Sequence, residues 1–338
     1  MINALLFPLA MLYALTVRIR NYLYDKEILS SVKLPAPVIS VGNISAGGTG
    51  KTPFAEYIAE LLHKTTEKKI FVLSRGYKRP LKTKEPILVS DGKEIFADWK
   101  TAGDEPMLLA ENLLGVAGVA VSQSRVKGGE FAIKKFGAQA LVLDDGFQHR
   151  RIKRALDVVL IDGKELLGNE KLLPYGYLRE HLSGLARADC IIFTRTPDGM
   201  KDRAGEWLHK KAPGMRCFFA QIVAKEIVWS KDAKISKDRV GAFCGIANQE
   251  RFFQTLAQMG YEVKFFEKFS DHHRYSREDL QNIVRDAKSV EAEALITTQK
   301  DWVKVKNFEW EIPVGYPRLK AEVEEEEEFI KFLQKVLK

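Results

Sequence analysis

Glycines, a lysine and a threonine lie close together in the segment SVGNISAGGTGKTP at residues 40–53. Loops that end in G-K-[ST] hold nucleotide phosphates with backbone N–H groups, while the lysine contacts the β- and γ-phosphates and the hydroxyl ligates Mg²⁺. Ser45 stands where the full pattern G-x-x-x-x-G-K-[ST] has its first glycine. The segment still predicts a nucleotide site, and its candidate members are Gly47, Gly48, Thr49, Gly50, Lys51 and Thr52.

The flanks of this loop support the same interpretation. An apolar segment, PVISV at 37–41, precedes the loop, and a helical pattern, PFAEYIAELLHK, follows it. A strand, a loop and a helix N-terminus in this order form a favourable site for phosphate. Partition-type ATPases share a GG-x-GK-[ST] core but carry a lysine where this chain has Ala46.

Two adjacent carboxylates follow another apolar segment, in LVLDDGFQHR at 141–150. A carboxylate at the end of a strand beside a phosphate loop can hold Mg²⁺ directly or through water. Asp144 and Asp145 are therefore candidate metal ligands together with Thr52. The alternative is a solvated turn.

Transfer of a phosphoryl group to a hydroxyl also needs a residue that orients or deprotonates that hydroxyl. The segments AGDEP at 102–106 and SDHHRY at 270–275 supply an aspartate and two histidines among turn-type residues. An aspartate paired with a histidine is a plausible base. Spacing alone does not bring these segments together, because they lie far apart in the chain.

Further polar side chains follow predicted strands, in SRGY at 74–77, SQSR at 122–125 and DDGFQHR. Open α/β sheets bind ligands beyond the carboxyl ends of their strands. Candidate substrate contacts here are Arg75, Tyr77, Arg125 and Gln148. The arginines could equally form structural ion pairs. TTQKD at 297–301 does not match the [NT]-K-x-D guanine motif, because its lysine directly precedes the aspartate.

The composition is that of a globular enzyme with a basic surface. The chain has 338 residues and a formal net charge of +8. Such a charge suits an acidic ligand, a nucleic acid or an anionic membrane. No helix-turn-helix or stacking pattern supports nucleic-acid binding, so we expect none. Three widely spaced cysteines indicate neither a disulfide framework nor a zinc site.

The first residues are more apolar than the rest. ALLFPLAMLYALTV spans residues 4–17, which is shorter than the ~20 residues that cross a bilayer. Arginines follow the run instead of preceding it, unlike a signal peptide. An apolar stripe at steps of three and four predicts a helix in the membrane interface; its members are Leu5, Leu9, Leu12, Leu15, Ile19 and Tyr22. The alternative is a helix buried against its own domain.

Short β-branched segments alternate with helix-length stretches, which is typical of a doubly wound α/β sheet. Predicted strands lie at 37–41, 70–74, 119–122, 140–144, 158–162, 190–194, 240–246, 263–269 and 294–298, with extended chain at 216–230 and a helix at the C-terminal end. We predict an N-terminal amphipathic helix (1–25), a P-loop α/β/α lobe with a parallel sheet (26–215) and a smaller α/β/α lobe (216–338).

The order of the motifs is more specific than any one of them. SVGNISAGGTGKTP, LSRGY, GDEP, VLDDGFQHRRIKR, LLPYGYLRE, AFCGIAN, FSDHHRYS and TTQKDWVK occur in that order between about residues 35 and 305. In sequence and order they resemble the tetraacyldisaccharide 4′-kinases of lipid A biosynthesis. Departures from the family pattern include the tyrosines of LLPYGYLRE, Gln249 in GIANQ and Gln299 in TTQKD.

The resemblance implies transfer of the ATP γ-phosphate, with Mg²⁺, to the 4′-hydroxyl of tetraacyldisaccharide 1-phosphate, which gives lipid IVA. It implies two lobes with the site between them, at the cytoplasmic face of the bacterial inner membrane, and no obligate protein partner. It also implies residue roles: Lys51 and Thr52 for nucleotide and Mg²⁺, Asp144 and Asp145 as the Walker-B-like pair, Asp104 with His272 as the base, and Arg179 and Glu180 as further active-site residues.

Two alternatives to this function stay open. One is a membrane-recruited P-loop ATPase that acts as a switch and transfers phosphate only to water. The other is a kinase for a different lipid or sugar hydroxyl, which the same aspartate–histidine pair would serve.

Overall fold

A single mixed sheet runs through the computed structural model, which describes residues 2–77, 79–232 and 235–337. Its twelve strands, counted over those residues, are β1 (Val38–Asn43), β2 (Ile70–Ser74), β3 (Ile87–Ser90), β4 (Ala117–Val121), β5 (Ala140–Asp144), β6 (Leu156–Asp162), β7 (Cys190–Thr194), β8 (Arg216–Trp229), β9 (Val240–Cys244), β10 (Val263–Lys268), β11 (Ala294–Ile296) and β12 (Val314–Val323).

The helices alternate with these strands along the chain. They are α1 (Ile2–Asp25), α2 (Lys51–Thr66), α3 (Trp99–Ala102), α4 (Asp104–Asn112), α5 (Arg125–Phe136), α6 (Lys201–Lys211), α7 (Gln249–Gln258), α8 (Arg277–Ser289), α9 (Gln299–Val305) and α10 (Glu326–Leu337). Most strands are buried along their whole length, as parallel strands covered on both faces must be.

The strand order is β10-β9-β11-β12-β8-β7-β6-β1-β5-β2-β4-β3. Neighbouring strands are parallel except at β3–β4, on one edge, and at β8–β12, in the middle. The long antiparallel pair β8–β12 therefore joins an N-terminal half (β1–β7 and α1–α6) to a C-terminal half (β9–β11 and α7–α9). Each half is a parallel α/β unit.

The last helix returns to the N-terminal half. Phe329 of α10 lies fully buried in the same apolar cluster as α2. Its ring centroid is 5.9 Å from that of Phe54 and 6.2 Å from that of Tyr57. The core of the N-terminal half is thus completed by residues from the far end of the sequence.

Helix α1 packs on the N-terminal half through polar side chains. Tyr13 Oη donates to the carbonyl of Arg179 at 2.7 Å, and Arg20 Nη2 donates to the carbonyl of Gln148 at 2.9 Å. The predicted apolar stripe points away from the protein: Leu9, Leu12, Leu15, Ile19 and Tyr22 are 49% to 63% exposed. The side chain of Leu5 lies outside the described residues. No helix in the described ranges is both long and apolar enough to cross a bilayer.

The structure confirms the predicted α/β class, the largely parallel sheet and the N-terminal helix. It adds β3 and β12 to the predicted strands, and it joins both halves in one sheet. The division into residues 1–25, 26–215 and 216–338 stays a prediction.

Candidate active site

A cleft of about 1380 Å³ lies between the two halves. The glycine-rich loop, the turn after β5 and α1 line it from the N-terminal half. The start of α7, the segment after β10 and the start of α9 line it from the C-terminal half. Most of the sequence-predicted site residues therefore border one space.

The glycine-rich loop is shaped by backbone that only glycine adopts readily. Gly47 has φ 121° and Gly50, the residue that precedes α2, has φ 86°. Asn43 at the end of β1 donates through Nδ2 to Thr49 Oγ1 at 3.1 Å, and Thr194 Oγ1 donates to the Thr49 carbonyl at 3.0 Å. Residues of β1 and β7 thus hold the loop in place on the N-terminal side of α2. Its N–H groups at the N-terminus of α2 suit an anion.

Two arginines that the sequence did not single out contact this loop. Arg195, directly after β7, donates through Nη1 to the Gly48 carbonyl at 2.6 Å and pairs with Asp162. Arg251 of α7 donates to the same carbonyl at 3.4 Å from the C-terminal half. The position of Arg195 directly after a predicted strand was a usable signal, whereas the position of Arg251 in a helix gave none.

Lys51 lies at the floor of the cleft. Its Nζ is 3.4 Å from the Gly47 carbonyl and 3.8 Å from Asp145 Oδ1. Burial lowers the pKa of Lys51, against the opposing effect of Asp145. A desolvated ammonium group at this place is poised to gain a phosphate partner.

The two acidic residues after β5 differ in their surroundings. Thr52 Oγ1 donates to Asp144 Oδ2 at 3.5 Å, while the buried Asp144 Oδ1 has no hydrogen-bond partner among the described residues. Burial, with the nearby charges of Glu105 and Asp145, raises the pKa of Asp144 to about 7. An unpartnered carboxylate oxygen beside a threonine hydroxyl fits a cation such as Mg²⁺, which prefers oxygen ligands.

Asp145 is instead an ion-pair residue in this structure. Arg179 Nη1 donates to both of its carboxylate oxygens, at 2.8 and 2.9 Å. Burial alone would raise the pKa of Asp145, but Lys51 and Arg179 outweigh it and lower the pKa. Among the described residues there is no group of three His, Cys, Asp or Glu side chains that could hold a metal. A cation beside Asp144 would thus also need oxygens from a nucleotide or from water.

Asp104 and His272 meet where the two halves touch, although 168 positions separate them. Asp104 lies in the first turn of α4 and His272 in the segment after β10, and Asp104 Oδ2 is 2.9 Å from His272 Nδ1. Burial would raise the pKa of Asp104, but the hydrogen bond from His272 and the charge of Lys300 lower it. His272 borders the main cleft, whereas Asp104 lies behind it in a small separate cavity.

The backbone of His272 is held in an unusual conformation. Its φ is 62°, in the left-handed region that side chains other than glycine rarely adopt. The His272 N–H donates to the Gly245 carbonyl at 3.0 Å. The N–H of Gly245 in turn donates to Asp301 Oδ2 at 2.8 Å, so the buried Asp301 supports the turn that carries the histidine.

The predicted substrate contacts fall into two groups. Arg75, Tyr77, Gln148 and Arg179 border the cleft, and the Tyr77 ring centroid is 6.1 Å from that of His272. Arg125 also borders it, but its buried guanidinium donates to the carbonyls of Ser122 and Asp144 at 2.9 and 3.0 Å. Arg125 therefore supports the turn after β5 through backbone carbonyls, whereas the structural alternative proposed for it was an ion pair.

Glu180 is almost completely buried, at 1% exposure, under α1. Its carboxylate accepts from Gln148 Nε2 at 3.0 Å, Asn21 Nδ2 at 3.0 Å and Arg187 Nη2 at 2.7 Å. Gln148 also donates to the Asn43 carbonyl at 2.8 Å, at the base of the glycine-rich loop. Glu180 thus connects α1 with this loop, and its predicted role in substrate contact stays a prediction.

Known proteins are similar to this chain over most of its length. The family described as tetraacyldisaccharide-1-P 4′-kinase, LpxK, matches residues 2–338. The tetraacyldisaccharide 4′-kinase of Desulfotalea psychrophila is 38% identical over 314 residues, which cover 91% of this chain and 89% of that protein. That of Aquifex aeolicus is 37% identical over 338 residues, which cover 99% of each protein.

A solved structure agrees with these relatives. The crystal structure of Aquifex aeolicus LpxK in complex with ATP superposes with a TM-score of 0.80 at 34% identity, and the match covers 100% of both chains. Similarity over this length shows both the family and the fold. The chain, with its glycine-rich loop and its aspartate–histidine pair on one cleft, belongs to the tetraacyldisaccharide 4′-kinase (LpxK) family.

Proposed function

We propose that this chain transfers the γ-phosphate of ATP to the 4′-hydroxyl of tetraacyldisaccharide 1-phosphate, giving lipid IVA and ADP. The observation that carries this proposal is that an aspartate–histidine pair faces a phosphate-binding loop across one cleft. A binding site for nucleotide alone would need only the loop. A base on the opposite wall is what a hydroxyl acceptor requires.

The nucleotide occupies the loop between β1 and α2 in this proposal. The loop N–H groups and Lys51 bind the β- and γ-phosphates, and Arg195 and Arg251 hold the Gly48 carbonyl away from them. Thr52 and Asp144 would hold Mg²⁺, which would supply positive charge to the phosphate oxygens. The unpartnered Asp144 Oδ1 supports this assignment. Asp145 keeps Lys51 and Arg179 beside the nucleotide.

The acceptor hydroxyl is prepared by His272. Because Nδ1 faces Asp104, the ring nitrogen that can accept the hydroxyl proton is Nε2. The hydroxyl proton passes to Nε2 as the bond from the 4′-oxygen to the γ-phosphorus forms. The bond from that phosphorus to the bridging oxygen breaks, and ADP leaves with the electron pair. Asp104 stabilises the imidazolium that results.

The apolar face of α1 gives this chain a route to a lipid substrate. Leu12 is 63% exposed and Leu15 is 54% exposed, on the side of α1 opposite to its polar contacts with the protein. A helix of this kind lies in the headgroup region, and the net charge of +8 favours an anionic leaflet. We place the protein at the cytoplasmic face of the inner membrane as a peripheral protein. The cleft borders α1, so the sugar headgroup can enter it while the acyl chains stay in the bilayer.

The test is transfer of ³²P from γ-labelled ATP, with Mg²⁺, to tetraacyldisaccharide 1-phosphate in mixed micelles. We expect a labelled lipid product and, without the lipid, little release of phosphate. Rapid phosphate release with no labelled lipid would contradict the proposal and favour an ATPase switch. Labelling of a different lipid in preference to this one would favour another acceptor.

A further inference from the structure

Lys300 lies beside the aspartate–histidine pair and has no part in the function proposed above. Its Nζ is 3.3 Å from His272 Nε2, 3.4 Å from Glu105 Oε1 and 4.0 Å from Asp104 Oδ2. Asp271 Oδ1 is also within 3.9 Å. The ammonium group therefore faces the one ring nitrogen that Asp104 leaves free.

Lys300 belongs to TTQKD, the motif that does not fit a guanine site. The other residues of the motif have visible structural roles: Thr298 precedes α9 and accepts from the Asp301 N–H, and Asp301 holds the turn at Gly245. These contacts place Lys300 in the first turn of α9, on the wall of the cleft. Its side chain is 19% exposed. The buried TTQKD motif thus places the side chain of Lys300 in the site.

The surroundings of Lys300 keep it charged. Burial alone would lower the pKa of Lys300, but the carboxylates of Glu105, Asp104 and Asp271 outweigh burial and raise it. Asp271 Oδ2 also lies 3.7 Å from His272 Nε2, so its negative charge partly offsets that of the ammonium group. The other groups that face the pair are the Tyr77 ring after β2, Arg274, and Lys304 one turn further along α9. Lys304 itself pairs with Asp301 at 2.6 Å. Lys300 is consequently the cation nearest to His272 Nε2 among the described residues.

We infer that Lys300 is a positioning residue that holds His272 in its reactive form, with the hydrogen on Nδ1 and the lone pair on Nε2. An ammonium group can only donate, so its contact with Nε2 requires an unprotonated nitrogen there. The positive charge of Lys300 lies 3.3 Å from Nε2, on the side of the ring where a hydrogen on Nε2 would point. This inference rests on the proposed kinase function and deepens its description of the base.

The arrangement also explains how the acceptor can enter. Glu105 on α4 and Asp271 lie within 4 Å of Lys300, so they retain the ammonium group when a sugar hydroxyl takes its place at Nε2. Lys300 is on the C-terminal half and Glu105 on the N-terminal half. The reactive form of His272 therefore depends on both halves being in contact.

The experiment compares the pH dependence of kcat for lipid phosphorylation in the intact chain and in Lys300→Met. Methionine keeps a long, unbranched side chain but removes the charge. We expect the acid limb of the profile to move to higher pH by about one unit, because the variant loses the positive charge that Lys300 places 3.3 Å from Nε2. Activity should recover at more alkaline pH, which a loss of folded structure would not allow. The KM for ATP should stay unchanged.

Two further variants separate charge from architecture. Lys300→Arg keeps the charge and should keep the acid limb of the intact chain. Lys306→Met is the matched control, because Lys306 also joins α9 to α4, through Glu111 at 2.6 Å, but is not in contact with the pair. It should leave the profile unchanged. As a readout without turnover, ¹⁵N NMR of His272 should show the hydrogen on Nδ1 in the intact chain and a mixture of tautomers in Lys300→Met.

The outcomes distinguish this inference from the function on which it rests. An acid limb that stays in place in Lys300→Met, with kcat reduced equally at all pH values, would overturn the inference and leave the kinase function intact. An intact chain that makes no labelled lipid would overturn the proposed function, and the inference with it. An acid limb that shifts in Lys300→Met, but not in Lys300→Arg or Lys306→Met, supports the inference and the proposed function together.

Discussion

The two walls of the cleft are built in different ways. The nucleotide wall is one continuous segment, held by β1 and β7 and followed directly by α2. The acceptor wall joins Asp104 of the N-terminal half to His272 of the C-terminal half, with Lys300 beside them. The first wall lies within one half, apart from the contact of Arg251 with the Gly48 carbonyl, whereas the second exists only where the two halves touch. Nucleotide binding and acceptor activation should therefore be separable by mutation.

The largest expected effect is on the nucleotide wall. Lys51→Ala removes a charge that contacts the phosphates in the transition state, so we expect kcat to fall about a thousandfold. The melting temperature should not fall, because burial makes the charged form of Lys51 costly in the free protein. Lys64→Ala, at an exposed position of the same helix, is the control. Near-normal turnover in Lys51→Ala would contradict the assignment of this wall.

The next largest effect is on the acceptor wall. His272→Ala removes the base, so we expect kcat to fall about a hundredfold while the dissociation constant for ATP stays the same. The matched control is His273→Ala, because the His273 ring packs on Phe269 at 4.6 Å and pairs with Asp279 instead. We expect His273→Ala to lower the stability of the protein, with little change in kcat. Weakened ATP binding in His272→Ala would show that the two walls are not independent.

A smaller effect is expected at α1, which brings the acceptor to its wall. Replacing Leu12 and Leu15 with glutamate places charges on the exposed apolar face. We expect binding to anionic vesicles, measured by sedimentation, to weaken about tenfold or more. The control variant replaces Gln254 and Gln258, which are exposed on α7, with glutamate, so that it adds the same charge. Equal loss in both variants would mean that charge, and not the apolar face, governs vesicle binding.

The smallest effect concerns the contact between the halves. Glu56 of α2 is buried beside Asn112, which exchanges hydrogen bonds with Gln299 of α9, and burial raises the pKa of Glu56 to about 7. Its folded pKa exceeds the unfolded value of 4.5, so its contribution to stability is greatest below pH 4.5 and falls as the pH rises to 7.

Glu56→Gln removes this ionisation, so we expect the stability of the variant to fall less as the pH rises. We expect the variant to be more stable than the intact chain at pH 8, by about 1 kcal/mol, and to lose this advantage at pH 4.5. Urea unfolding at the two pH values measures the difference. Glu206→Gln, at an exposed position of α6, is the control. Arg318 Nη2 lies 3.8 Å from Glu56 Oε1, and a variant that is less stable at pH 8 would mean that this ion pair matters more than burial.

The same contrast between local and distant structure explains what the sequence predicted. The loop, the acidic pair after β5 and most strands are local patterns of residue type and spacing, and they were predicted directly. The edge strand β3 and the strand β12, which contains Pro317 and alternating charges, carry weak strand patterns and were missed. The predicted strand at 294–298 is shorter, because Thr298 caps the N-terminus of α9.

The segments of the acceptor wall were singled out by residue type, but the pairing of Asp104 with His272 was predicted only through family resemblance. Nothing in the local sequence of Asp104 or His272 indicates that the two side chains meet, because their contact depends on how the halves are joined. The same holds for Arg251, which reaches the loop from the C-terminal half, and for Lys300. Side chains whose partners lie in another element leave no periodic pattern in the sequence.

The return of α10 to the N-terminal half has a consequence for synthesis on the ribosome. Tyr57 of α2 donates a hydrogen bond to Glu326 of α10, 269 positions later in the chain. At ordinary translation speeds the two residues are made roughly fifteen to fifty seconds apart. For that interval the apolar face of α2 that receives Phe329 stays uncovered, so the nascent chain carries a surface that chaperones bind. The phosphate loop at the start of α2 is made early but is fully supported only late.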